Sequence, residues 1–184
     1  STFTGNSGIN NLITRNGATI TAYNNTFSGN QVNNHAFLDN TTTNGVLVNN
    51  TFYNSGDISN SSGLIVRNNL LLSGNILNLN NNVSRNIFGN IFYENHYSPG
   101  IGIPIDNIEN YVDHTLSEYE PGHPMVHRLL STGDPNPLLE KGGDMSVTEY
   151  KNLLIYDQRG KIRPKLVSVG SCDIQGFAMK GNRY

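Results

Sequence analysis

The sequence predicts an all-β chain: a right-handed parallel β-helix, or solenoid, closed by a small irregular α+β cap at the C-terminal end. Three observations predict it. A block of the type Asn-Asn-Thr-Phe recurs through the first half of the chain. Short stretches in which every second residue is apolar lie between the copies. Asparagine is unusually abundant, about 30 of the 184 residues, and most of it precedes Tyr97.

The repeats come first. The opening residues Ser1-Thr2-Phe3-Thr4-Gly5-Asn6 match Thr26-Phe27-Ser28-Gly29-Asn30, so a coil is under way from the start. Tyr23-Asn24-Asn25-Thr26-Phe27 returns as Val48-Asn49-Asn50-Thr51-Phe52. Looser copies are Val66-Arg67-Asn68-Asn69-Leu70 and Ser84-Arg85-Asn86-Ile87-Phe88. Partial echoes sit at Val32 to Phe37 and at Asn90 to Asn95. Copies about 17 to 25 residues apart fall at the lower end of solenoid periods.

The alternating stretches follow: Thr19 to Ala22, Val46 to Val48, Leu64 to Val66 and Ile76 to Leu79. Each makes a short strand with one buried face. Gly, Asn and Asp between them tolerate the positive φ of tight turns. Asparagines at equivalent corners, Asn25, Asn50 and Asn69, are expected to form hydrogen-bonded ladders up the stack. A disordered tract would not space Ile, Leu, Val and Phe so evenly. A leucine-rich repeat would need a Leu-x-x-Leu-x-Leu framework that is missing.

The chain divides into coils over 1–97, an irregular acidic connector with short helices over 98–130, and a closing cassette over 131–184. Asp106 with Glu109, and Ser146 with Glu149, resemble helix-start capping boxes. Leu153 to Tyr156 and Lys165 to Val169 alternate like strands, with turns at Arg159-Gly160 and Gly170-Ser171.

The tail carries a resemblance. Asp157-Gln158-Arg159-Gly160-Lys161-Ile162-Arg163-Pro164 followed by Cys172-Asp173-Ile174-Gln175-Gly176-Phe177 resembles the closing cassette of secreted right-handed β-helix proteins, the choice-of-anchor Q type. Asn136-Pro137-Leu138-Leu139-Glu140-Lys141-Gly142-Gly143-Asp144 is similar to that family's Ser-Pro-x-Ile-Asp-x-Gly element. With the Thr-Phe repeats in front, the chain also resembles polymorphic outer-membrane-type repeats. The resemblance implies an exported, cell-surface or extracellular protein; it speaks to location rather than to reaction.

A formal charge of −2 offers no footprint for nucleic acid, whose phosphates require clustered Lys and Arg. No apolar run of about 18 residues is present to span a membrane as a helix. No charged-then-apolar leader opens the chain. Cys172 is the single cysteine, so neither an internal disulfide nor a cysteine zinc site can form.

Charges before Tyr97 are Arg15, Asp39, Asp57, Arg67, Arg85 and Glu94, with no adjacent Asp pair for glycoside hydrolysis. Arg67 and Arg85 follow equivalent apolar positions, and such isolated charges read as solvated decorations of the coils. No catalytic residue is assigned. His123 and His127 would face one way, as in zinc sites, if Pro124 opened a helix, with Glu118, Glu120 or His114 to complete a set. The acidic stretch Asp106, Glu109, Asp113, Glu118 and Glu120 is a candidate calcium site, since hard cations take several carboxylates. Arg159, Lys161, Arg163 and Lys165 form the basic cluster, and Asp157, Arg163 and Asp173 are expected to pair and lock the closing strands. Tyr23, Tyr53 and Tyr93 are candidate stacking platforms for glycans. Asn-x-Ser/Thr sequons begin at Asn24, Asn40, Asn49, Asn60 and Asn82.

The expected function is structural. It is that of an extracellular filament or surface-layer subunit, or an adhesin, stacking end to end on itself or on other surface proteins. The rival is a β-helix that binds or degrades polysaccharide.

Overall fold

The computed structural model describes residues 1–59, 63–74, 76–77, 83–84, 86–88, 102–104, 111–118, 121, 124–130, 138, 143–144, 155–162, 166–167 and 170. Among them there is no helix. The strands cycle through three parallel sheets, one passage through all three making a coil, an arrangement compatible with a β-helix or solenoid.

The first sheet runs β1 (Thr2–Thr4), β4 (Thr26–Ser28), β7 (Thr51–Tyr53), β10 (Leu70–Leu71), β13 (Asn86–Phe88) and β14 (Gly102–Pro104). The second holds β2 (Ser7–Arg15), β5 (Gln31–Asp39), β8 (Asp57–Ser59) and β11 (Ile76–Leu77). The third holds β3 (Ile20–Tyr23), β6 (Gly45–Val48), β9 (Leu64–Arg67) and β12 (Val83–Ser84). Chain order visits the sheets in strict rotation from β1 to β13. A separate antiparallel pair joins β15 (Gly143–Asp144) to β16 (Leu166–Val167).

Period-2 alternation sets what each strand buries. In the first sheet Phe3, Phe27 and Phe52 stand in register. Their rings stack at 5.0 Å and 4.6 Å, within 10° of parallel. Phe27 and Phe52 join Ala36, Phe37 and Ile58 of the second sheet and Leu47, Leu64 and Val66 of the third in one buried cluster. The main core therefore lies between the three sheets. Each stacked aromatic pair adds about 0.5–1.5 kcal/mol beyond area burial.

The corner before each first-sheet strand explains the Asn-Asn pairs. Asn24, Asn49 and Asn68 take left-handed φ of 53°, 52° and 54°, a conformation that asparagine tolerates better than most residues. The residues after them form a ladder. Asn50 Oδ1 accepts from the backbone N–H of Asn25 at 2.9 Å and from its side-chain amide at 3.0 Å. Asn69 Oδ1 repeats this toward Asn50, and Asn86 Oδ1 toward Asn69. Each amide nitrogen also donates to a third-sheet carbonyl: Ala22 for Asn50, Leu47 for Asn69 and Val66 for Asn86. Asn50, Asn69 and Asn86 are fully buried, yet their polar atoms are satisfied by neighbours above and below. At the next corner Asn6 donates to Asn30 Oδ1 at 2.8 Å, and Asn30 donates to Ser55 Oγ at 2.9 Å.

Ladder partners lie 25, then 19, then 17 residues apart, so the coils shorten along the stack. The difference is taken up in the second sheet, where β2 and β5 have 9 residues and β8 has 3. Close stacking also dictates Gly63, where a Cβ would collide with the Thr42 and Thr43 carbonyls of the preceding coil.

Three sequence expectations take a different form here. Val32 to Phe37 is not a loose copy of the first-sheet repeat but lies within β5 of the second sheet. Ile76 belongs to the second sheet, whereas the alternating stretches before it line the third. Pro124 opens no helix, because Asp113, Ser117 and Leu130 donate backbone N–H groups to Arg128, Val126 and Tyr111 in an antiparallel ribbon. The helix starts proposed at Asp106 and Ser146 lie outside the described residues, as does Leu153.

Replacing Asn69 with Ala takes the acceptor from the buried Asn50 backbone N–H, one of two acceptors from the Asn50 side-chain amide, and a donor from the Leu47 carbonyl. The expected loss is about 2–4 kcal/mol, from an unsatisfied-group cost of about 1–3 kcal/mol each, partly relieved. Asn25→Ala, at a partly exposed corner, should lose about 1 kcal/mol or less. Urea denaturation of both variants checks the order.

Candidate functional site

The outer side of the first sheet is covered by the chain's own later residues. Flanking the buried Phe column, Thr2, Thr26 and Thr51 form one outward column, and Thr4, Ser28 and Tyr53 form the other. Thr26, Ser28 and Thr51 are nevertheless buried. The 124–130 arm of the ribbon lies across the strands. Thr2 Oγ1 donates to the Met125 carbonyl at 2.6 Å, His127 sits on Ser28 and Tyr53, and Leu129 packs with Leu70 and Leu72. Val112 and Leu138 complete that second apolar cluster. Alternate residues of one extended arm thus meet successive coils.

The tail covers the neighbouring column. Asn24 Nδ2 donates to the Tyr156 carbonyl at 2.7 Å and Thr26 Oγ1 to Gln158 Oε1 at 2.6 Å. Gln158 Nε2 in turn donates to the Ser1 carbonyl and to Thr2 Oγ1. Asn49 Nδ2 donates to the Gly170 carbonyl, and the Gly170 N–H donates to the Asn68 carbonyl. The described tail residues therefore lie along the side of the stack, from its first coil to its fourth, rather than over one end.

His127 is the chemically distinctive member. Its ring is buried, with Nδ1 2.8 Å from the Asp113 carbonyl and Nε2 2.9 Å from Ser28 Oγ. A carbonyl only accepts, so Nδ1 carries the proton and the neutral Nε2 accepts from the Ser28 hydroxyl. Serine, imidazole and a carbonyl that orients it are the parts of a nucleophile and base. Ser28 is only 4% exposed, however, and Tyr53 packs edge-on against the imidazole at 5.0 Å. The pair is closed to substrate and works as a pin between ribbon and sheet.

Burial holds the His127 pKa below the ordinary histidine value. The hydrogen bond to the Asp113 carbonyl opposes this, His114 adds to the lowering and the Asp113 charge opposes it. The fold thus favours the neutral ring, while the unfolded chain takes up the proton more readily. Stabilisation by this residue is complete above the unfolded value of about 6.5 and is lost as pH falls from there through the lower folded value. Denaturation midpoints should therefore drop across that mildly acidic window in the native chain, and His127→Gln should flatten the drop.

A second buried constellation sits at the corner between the second and third sheets. Arg15 and Asp39 are in register on β2 and β5 and form a two-pronged pair, Nε to Oδ1 at 2.7 Å and Nη2 to Oδ2 at 2.9 Å. Arg15 Nη1 donates to the carbonyls of Ala18, Thr43 and Asn44. Both side chains are essentially inaccessible, at 2% and 0%. The solvated reading given to Arg67 and Arg85 does not extend to this pair. Registered positions one coil apart, with opposite signs, were the signal available. Removing one partner of a buried pair costs about 3–5 kcal/mol. Asp39→Ala should show that loss in denaturant, and added salt should not mimic it.

Of the acidic set, Asp113 and Glu118 are described. Asp113 Oδ1 accepts from the Thr115 N–H at 2.8 Å, and Glu118 is exposed. Asp106, Glu109 and Glu120 lie outside the described residues, and no group of three metal-binding side chains occurs among those described. Asp157 is buried and pairs with Arg159, while its Oδ1 caps the turn at the Arg159 and Lys161 N–H groups. Arg163, Asp173, Lys165, His123, Arg85 and Tyr93 lie outside the described residues. Tyr53 is packed between His114 and His127 rather than open to a ligand; Tyr23 is 39% exposed.

β1, β2 and β3 are the outermost strands of their sheets. Phe3, Leu12, Ile13, Ile20 and Ala22 pack on the core from that end but are only partly buried. No known family, curated protein or solved structure matches the chain.

Proposed function

We propose that the chain is a structural protein of the cell exterior, a right-handed parallel β-helix that assembles end to end. What supports the reading is the way the sheets are built: parallel strands add coil by coil, held by a buried asparagine ladder and stacked Phe rings, a contact that a coil of a second copy can repeat. The outer side of the first sheet is already covered by the ribbon and tail. A contact between one end of a stack and the other end of the next is heterologous and propagates as an open fibre. The tail's likeness to the closing cassette of secreted β-helix proteins supports the exterior location.

The test is assembly state against concentration, by sedimentation velocity and electron microscopy. Rods lengthening with concentration are expected. Monomers at every concentration would overturn the assembly reading. Protection of the protein from a membrane-impermeant label on intact producing cells would overturn the location.

A further inference from the structure

We propose that Asn40 is an acceptor for an N-linked sugar, and that among the described sequons it is the one the folded chain presents. Three sequons fall on described residues, at Asn24, Asn40 and Asn49. The fold treats them differently. Asn24 and Asn49 occupy the left-handed corner positions and are 6% and 0% exposed. Their Nδ2 atoms, the atoms a sugar would modify, donate to the Tyr156 and Gly170 carbonyls of the covering tail. A sugar at either would lift the tail from the sheet.

Asn40 lies in the loop that joins β5 to β6. Asn40 and Thr42, the two residues a transferase must read, are both exposed. Asn40 Nδ2 makes a 3.1 Å bond to Asn16 Oδ1 at the surface, and a substituted amide still keeps one N–H for it. The loop has a firm base, because Arg15 holds the Thr43 and Asn44 carbonyls and Asp39 Oδ1 accepts from the Thr41 N–H. In the transfer, Nδ2 bonds to the anomeric carbon of a nucleotide-activated sugar. The bond from that carbon to the diphosphate oxygen breaks, the nucleoside diphosphate leaves with its electrons, and the Nδ2 proton passes to a base of the transferase.

The experiment incubates the purified folded chain with UDP-glucose and a soluble asparagine glucosyltransferase that reads Asn-x-Ser/Thr. The tryptic peptide 16–67, which carries these three sites and Asn60 without the fold, is the control. Fragmentation mass spectrometry locates the added hexose. The peptide is expected to gain hexose at all three positions. In the folded chain Asn40 should be labelled more than about tenfold faster than Asn24 and Asn49, which react only through an opened state. Thr42→Ala should abolish labelling at Asn40 while leaving the far-ultraviolet spectrum unchanged. Labelling of Asn24 or Asn49 in the folded chain as fast as Asn40, a bare Asn40 in the folded chain, or persistent Asn40 labelling in Thr42→Ala would each overturn the assignment.

Discussion

A narrow stack of short strands must turn a buried corner in every coil, and each turn leaves polar groups where water cannot reach them. The Asn25-Asn50-Asn69-Asn86 ladder answers that requirement. A side-chain amide holds both an acceptor and two donors, so one residue can bind the coil on each side and a carbonyl of its neighbour sheet. The preceding residue must sit at positive φ, and Asn24, Asn49 and Asn68 do so without needing glycine. Sheet register follows from the ladder. Once the amides align, the Phe rings align one residue pair later, and the core packs in columns.

The same logic explains why a polar column on the first sheet came to be buried. Thr, Ser and Tyr side chains on its outer side would suit solvent, yet the ribbon and tail lie over them and meet each with a complementary group. Met125 and Gln158 face threonines, His127 faces Ser28, and leucines face leucines where the coils turn apolar at Leu70 and Leu72. The interface changes from hydrogen-bonded to hydrophobic along the stack because the strand it covers changes composition. His127 puts a titrating group into that cover.

Much of the coil region was legible. Recurrence of Asn-Asn before a two- or three-residue apolar strand locates the corner and the first-sheet strand together, and the alternating stretches at Ile20, Val46 and Leu64 locate the third sheet. The second sheet was harder to see. Its strands range from nine residues to two, and β5 contains Asn33, Asn34 and His35, which imitate a corner. The Arg15–Asp39 pair was hidden for another reason: two charges 24 residues apart look isolated until the coil length is known.

The sequence by itself determined that this chain builds short parallel strands with amide-lined corners, because periodicity and the conformational tolerance of asparagine are local properties. Only the tertiary structure decided which surfaces stay open. Whether Ser28 faces water or His127, and whether Asn24 is accessible, depends on where residues 99 and 132 positions away come to rest. Chain order does not encode burial of that kind; it arises only when distant backbone segments share one face.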